Sequence, residues 1–209
     1  LLNKNSNKTV ILCLGSSTTW GYDPATGGGR FPDNIRWPSV MAYELGETFH
    51  VIEEGLNGRT VLDHIPGKHP ANGYQYLNEL LDRVEFDFII ICLGTNDLFA
   101  NREISVKHIA DGIEKMINRV KFVKPKAKII IISPPPINED YEAAYLYQSE
   151  IEKSKNFYKE YKHIAAINSS YFFDTGKIVS TSRIDGIHLE KEDCIKLGKY
   201  MADFVRMSL

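Results

Sequence analysis

The chain of 209 residues has only three cysteines, too few and too irregularly placed for a disulfide framework. It has no apolar run near the roughly 18 residues that a membrane-crossing helix needs. It has no concentrated basic patch: Lys121, Lys124, Lys126 and Lys128 are the densest stretch, and net charge is −2. That stretch reads as a solvated turn at a helix end, and a nucleic-acid partner is not expected. The first eight residues are polar and have no h-region of a signal peptide, although the chain starts at Leu1 and a removed signal peptide stays open. The expected location is cytoplasmic, with residues 1–8 a poorly ordered segment. Cys13, Cys92 and Cys194 fall in apolar surroundings and read as free, buried, reduced thiols. No internal repeat and no linker interrupts the chain.

What is present is a full apolar complement, 43% of residues, enough for one domain spanning 1–209. Apolar strand segments alternate with amphipathic ones. Strands are expected at 10–14, 48–53, 86–93, 128–132 and 164–167, and helices at 36–45, 74–83, 105–123, 141–162 and towards the C-terminus. Within the fourth helix Tyr141, Tyr145 and Tyr158 read as half-buried packing residues; the last helix turns Cys194, Leu197, Met201 and Val205 inward. Residues 21–35, with Gly27-Gly28-Gly29, read as a flexible loop, and 61–73 as a second loop. This alternation predicts an α/β fold whose parallel sheet is covered on both faces.

Polar groups collect where the strands end. Gly15-Ser16-Ser17-Thr18-Thr19 follows the first strand, Gly55-Leu56-Asn57-Gly58 the second, Gly94-Thr95-Asn96-Asp97 the third, and Asp185-Gly186-Ile187-His188 the last. In a parallel sheet these stretches meet at one edge, where such folds place ligands. Acyl transfer needs a hydroxyl nucleophile, a base, a group that orients the base, and donors for the oxyanion. Ser17, His188 and Asp185 fill the first three roles. The backbone N–H groups of Ser17 and Gly58 and the side-chain amide of Asn96 fill the fourth. Each stretch also has a purely structural reading: Asn96-Asp97 as a cap, Gly55 and Gly58 as turn glycines, Asp185-Gly186 as a turn, His188 as a cap for the last helix. The first turn could instead cradle a phosphate or flavin through backbone N–H groups. A zinc reading of Asp63, His64 and His69 fits no ligand spacing, so neither a metal nor a cofactor is expected.

These four stretches resemble, in order, the sequence blocks of the SGNH or GDSL hydrolases. Arg36-Trp37, Glu53-Glu54-Gly55-Leu56, Leu93-Gly94-Thr95-Asn96-Asp97 and Ser133-Pro134-Pro135-Pro136 are similar to the branch of bacterial arylesterases and acyltransferases. The resemblance runs from about residue 9 to 207. It implies a three-layer, flavodoxin-like sandwich with a central five-stranded parallel sheet and hydrolysis of small esters. In some relatives it also implies acyl transfer to alcohols within a homo-oligomer. Trp20 matches a position that lines the acyl pocket in that branch; Ile65, Pro66 and Leu98 are expected on the loops that cover it. The family register puts the nucleophile two residues after Gly15, at Ser17. Ser16 departs from the family, which usually has Asp there. Carbohydrate acetyl ester hydrolysis by the same triad is the alternative that the sequence leaves open.

Overall fold

The computed structural model describes residues 8–63 and 71–209. In chain order, β1 (Thr9–Gly15) leads into the four-residue α1 (Ser17–Trp20). A short hairpin of β2 (Tyr22–Asp23) and β3 (Gly29–Arg30) follows, then α2 (Trp37–Leu45) and β4 (Phe49–Gly55). Next come α3 (Gly73–Arg83), β5 (Phe88–Cys92), α4 (Thr95–Ala100), α5 (Val106–Val123) and β6 (Lys128–Ser133). The chain closes with α6 (Gln148–Ser154), α7 (Phe157–Ile167), β7 (Tyr171–Asp174) and α8 (Lys191–Met207). Five strands form one parallel sheet in the order β4-β1-β5-β6-β7. That order reverses direction at β1, which leaves a crevice at the carboxyl ends of β1 and β5, the usual ligand position of a doubly wound sheet.

Strand alternation explains the layers. Leu12, Leu14, Ile89, Ile91, Ile129 and Ile131 face one cluster, with Leu77 and Leu80 of α3, Ile113 and Ile117 of α5, and Tyr161 of α7. Their neighbours Ile11, Cys13, Ile90, Ile130 and Ile132 face the other, with Trp37 and Met41 of α2 and Leu197 and Met201 of α8. The central strands β1, β5 and β6 are therefore covered on both faces and read as nearly continuous apolar runs, whereas the edge strands β4 and β7 are only partly buried. Cys194, Leu197, Met201 and Val205 are all buried along α8, as their spacing predicts.

Two expected elements differ. The helix predicted over 141–162 is broken: a 3-10 turn covers Ala144–Leu146, α6 ends at Ser154 and α7 begins at Phe157. Ser154 Oγ accepts the Ile137 N–H and donates to the Ile151 carbonyl, which ties the break to the segment after β6. Of the three tyrosines expected to be half-buried, Tyr141 is buried, whereas Tyr145 and Tyr158 are largely exposed. The strand predicted at 164–167 is the last turn of α7, and the fifth strand is Tyr171–Asp174. Phe157, Tyr161, Ile164 and Ala165 are buried at helical spacing, whereas Ala166 and Ile167 are exposed. The short apolar run was thus one face of a helix read as a strand. The region 21–35 is also more ordered than a flexible loop. Asp23 caps the 3-10 turn Pro24–Thr26 inside the hairpin by accepting the Ala25 N–H.

All three cysteines are free and buried. Burial pushes the Cys92 and Cys194 thiols up to about 12, so they stay protonated and inert. Among the described residues no helix is long and apolar enough to cross a membrane.

Candidate active site

The turn that carries Ser17 is built by close approach. The carbonyl of Ser16 accepts the N–H groups of Thr19 and Trp20, which winds α1 directly off the end of β1. A Cβ on Gly15 would lie 1.9 Å from Thr19 Oγ1, and one on Gly55 would lie 2.2 Å from the Trp20 nitrogen. Only glycine at both strand ends lets α1 press onto the sheet. Gly21 closes the turn in the left-handed region, at φ 89°. Ser17 is left 7% exposed at the sheet edge.

The loop after β7 reaches the same point. His188 Nε2 lies 2.8 Å from Ser17 Oγ, and its Nδ1 lies 2.6 Å from Asp185 Oδ2. Asp185 Oδ1 accepts the N–H groups of Ile187 and His188, at 2.9 and 3.0 Å, so the carboxylate folds its own loop around itself. Burial alone would raise the Asp185 carboxyl. The hydrogen bonds from the His188 ring and from the His188 and Ile187 N–H groups outweigh it and hold the pKa below the ordinary aspartate value. Ionised, the carboxylate is an acceptor only, so Nδ1 carries the ring proton and Nε2 is left to accept the Ser17 hydroxyl. The loop is braced: Ser182 N–H donates to the His188 carbonyl at 2.7 Å, and Asn138 N–H to the Gly186 carbonyl at 2.8 Å. Gly186 sits at φ 75° against the Tyr141 ring, where a Cβ would lie 2.4 Å from a ring carbon.

The second and third stretches also meet. Gly58 is exposed, at φ 76°, with nothing within 4 Å of where a Cβ would stand. The Asn96 side-chain amide donates to the Arg59 carbonyl at 3.0 Å. Asp97, wholly buried, accepts the N–H groups of Val61 and Leu62 at 2.8 and 2.9 Å. The Gly58 loop is therefore hung on the first turn of α4, and Asp97 binds that loop rather than capping a helix.

The pocket residues fare differently. Trp20 is half-buried and lies beneath the Arg30 guanidinium, 5.4 Å from its ring centre, with Arg30 Nε donating to the Trp20 carbonyl. Leu98, expected on a covering loop, is instead on α4 and wholly buried in the core, because its helical position points it at the sheet. Ile65, Pro66, His64 and His69 lie outside the described residues. Among the described residues, no group of three His, Cys, Asp or Glu side chains could hold a metal ion.

Sequence reasoning missed Tyr22. Its ring stacks on the His188 imidazole, with centroids 3.9 Å apart and planes inclined by 23°. The only signal available in the sequence is its place just after the Ser17 turn, within residues 21–35, whose composition reads as a loop. Also missed was a cleft of about 530 Å³ beside Asp185 and Ile187, walled by Phe99, Tyr141, Tyr145 and Tyr147. Its residues come from three segments distant in sequence, so no local pattern announces it.

Residues 13–192 match the model of the GDSL-like lipase/acylhydrolase family. The chain is 29% identical over 126 residues to an arylesterase from Vibrio mimicus; the match covers 60% of this chain and 56% of that relative's length. Among solved structures it is similar to Est24, a carbohydrate acetylesterase from Sinorhizobium meliloti. The two are 34% identical with a TM-score of 0.88, over 97% of this chain and all of that one. The aryl esterase of M. smegmatis is 32% identical with a TM-score of 0.86, over 96% of this chain and all of that one.

Proposed function

The chain belongs to the GDSL-like lipase/acylhydrolase family, and from that membership we propose that it is a serine esterase that cleaves short-chain carboxylic esters through an acyl-enzyme on Ser17. The observation that carries the reading is the unbroken run from Asp185 through His188 to Ser17, at 2.6 and 2.8 Å. Ser17 Oγ attacks the ester carbonyl while His188 Nε2 takes its proton. Asp185 keeps the imidazole in the accepting tautomer and faces the imidazolium that forms. The tetrahedral oxyanion is held by the N–H groups of Ser17 and Gly58 and by the Asn96 amide. The intermediate collapses as His188 returns the proton to the leaving alcohol. Water, deprotonated by His188, then releases the acid; an alcohol in its place gives a new ester. A flavin or phosphate module leaves the Asp185–His188–Ser17 run without a task.

The bulk of Trp20 and Tyr22 beside the nucleophile favours a short acyl group. The aromatic cleft next to Asp185 suits the alcohol side, and its tyrosines would serve a sugar ring as well as an aryl group. That cleft supports carbohydrate acetyl ester hydrolysis as the second reading. Exposed Tyr145, Leu146 and Ile184 offer apolar surface for a homo-oligomer, and the free thiols suit a reducing, cytoplasmic setting. The test is a panel of acyl esters that varies chain length and alcohol, sugar acetates included. Acetyl esters should turn over faster than octanoyl ones, with some ester product when an alcohol is added. Faster octanoyl turnover and no alcohol adduct would contradict the reading.

Tyr22 gives a separate expectation. A stacked aromatic pair contributes about 0.5–1.5 kcal/mol beyond area burial. Tyr22→Leu should therefore lower kcat by about two- to tenfold with a smaller change in KM, while Tyr22→Phe keeps the stack and most of the rate. Equal losses in both variants would mean that the hydroxyl, not the stacked ring, matters.

A further inference from the structure

We propose that Arg59 is a positioning residue, fixing the oxyanion-stabilising parts of the site to the nucleophile turn; the inference rests on the esterase reading above. Arg59 is 2% exposed. Its Nη1 donates to the Gly15 carbonyl at 3.0 Å and also to the Glu54 carbonyl. Gly15 and Gly55 are partners across β1 and β4. One guanidinium nitrogen therefore straps the ends of two strands together, one residue before the turn that presents Ser17.

The other end of the same residue serves Asn96. The Arg59 carbonyl accepts one N–H of the Asn96 amide at 3.0 Å. That bond sets which way the amide faces: its nitrogen, not its oxygen, lies on the side of the Gly58 loop, with a second N–H to offer an oxyanion. Gly58 is the residue immediately before Arg59, so its N–H moves with the same anchor. The side chain thus fixes the nucleophile turn, and the backbone fixes the two donors that come from elsewhere.

The anchor is itself held. The guanidinium lies 4.3 Å from the centre of the Tyr76 ring on α3. Tyr76 hydroxyl donates to the Glu54 carboxylate and accepts from Arg83, both at 2.7 Å. Burial lowers the Arg59 pKa, with Tyr76 and Glu54 opposing that shift, yet a guanidinium stays charged across the working range. Lysine offers a point charge in place of a planar fork, and cannot both cover a ring and strap two carbonyls in the same way.

The test compares Arg59→Lys and Arg59→Met with wild type on an activated acetyl ester, well below each variant's thermal midpoint. Loss of one oxyanion donor costs about 100- to 1,000-fold in kcat, and a displaced donor should cost less. Arg59→Met should lose roughly 10- to 100-fold in kcat with KM within about threefold, and Arg59→Lys should fall between it and wild type. Should Arg59→Met fail to fold, Arg59→Lys carries the test. In an Asn96→Ala background, Arg59→Lys should cost less than in wild type, because the donor it orients is gone. A purely structural Arg59 would lower the thermal midpoint and leave kcat and this coupling unmoved, which would overturn the inference. So would a loss confined to KM, or the same kcat cost in both backgrounds. Ser17→Ala is measured alongside. If it stays active the esterase reading fails, and if it is dead while both Arg59 variants keep wild-type kcat, only the role of Arg59 fails.

Discussion

Ser17→Ala is expected to lose on the order of a thousandfold or more in kcat, with folding intact. The hydroxyl accounts for little of the fold. Ser17 sits in α1 through its backbone, whose carbonyl accepts the Gly21 N–H. Its Oγ faces His188 Nε2, and that ring is 14% exposed, so a water molecule can take the place of the lost hydroxyl. The neighbouring serine is the control. The Ser16 carbonyl winds α1, but its side chain makes no capping hydrogen bond. Ser16→Ala should therefore stay within about tenfold of wild type, since the backbone contacts remain. The pair separates a nucleophile from a hydroxyl that is merely close to one. Circular dichroism and thermal midpoints of the two variants check that the difference is chemical.

Asp185→Asn should cost about 10,000-fold in kcat, a loss of the kind that follows when the base is held in the wrong tautomer. The substituted amide keeps an oxygen for the Ile187 and His188 N–H groups, so the loop retains its shape. Its nitrogen then faces His188 Nδ1 as a donor. The ring proton shifts to Nε2, where it meets the Ser17 hydroxyl and cannot accept from it. The same substitution has a consequence for pH. The Asp185 carboxyl is held below the ordinary aspartate value in the folded chain. A depressed folded pKa contributes stability that is complete above the unfolded value of about 3.9 and is lost as pH falls through the lower folded value. Denaturation midpoints of wild type and Asp185→Asn should therefore differ most above about pH 4 and converge as the solution is acidified further. A gap that widens in acid would mean that Asp185 is not stabilised as the anion.

Much of this was legible in the sequence, for identifiable reasons. Ile89-Ile90-Ile91 and the apolar steps along 105–123 report their own period, because burial on both sheet faces and on one helix face leaves different patterns. The four polar stretches were legible because strand ends gather them without any long-range knowledge. The failures share a cause. Ile164–Ile167 is too short a run to distinguish strand from helix until Phe157 and Tyr161 are counted with it. The break between α6 and α7 depends on Ser154 meeting Ile137, a contact across 17 residues that no local window contains. Leu98 is expected on a loop covering the pocket, but one turn of helix directs it into the core. Tyr22 and Arg59 take their meaning from His188 and from Gly15 with Asn96, partners that only the folded sheet brings near.

The proposed attack by Ser17 is tested most directly by covalent capture. Wild-type protein is treated with a serine-directed phosphonate, digested, and its peptides sequenced by mass spectrometry. The account predicts one adduct, on Ser17, formed as activity disappears and absent from Ser17→Ala. An adduct on Ser16, or full inactivation with Ser17 unmodified, would contradict it.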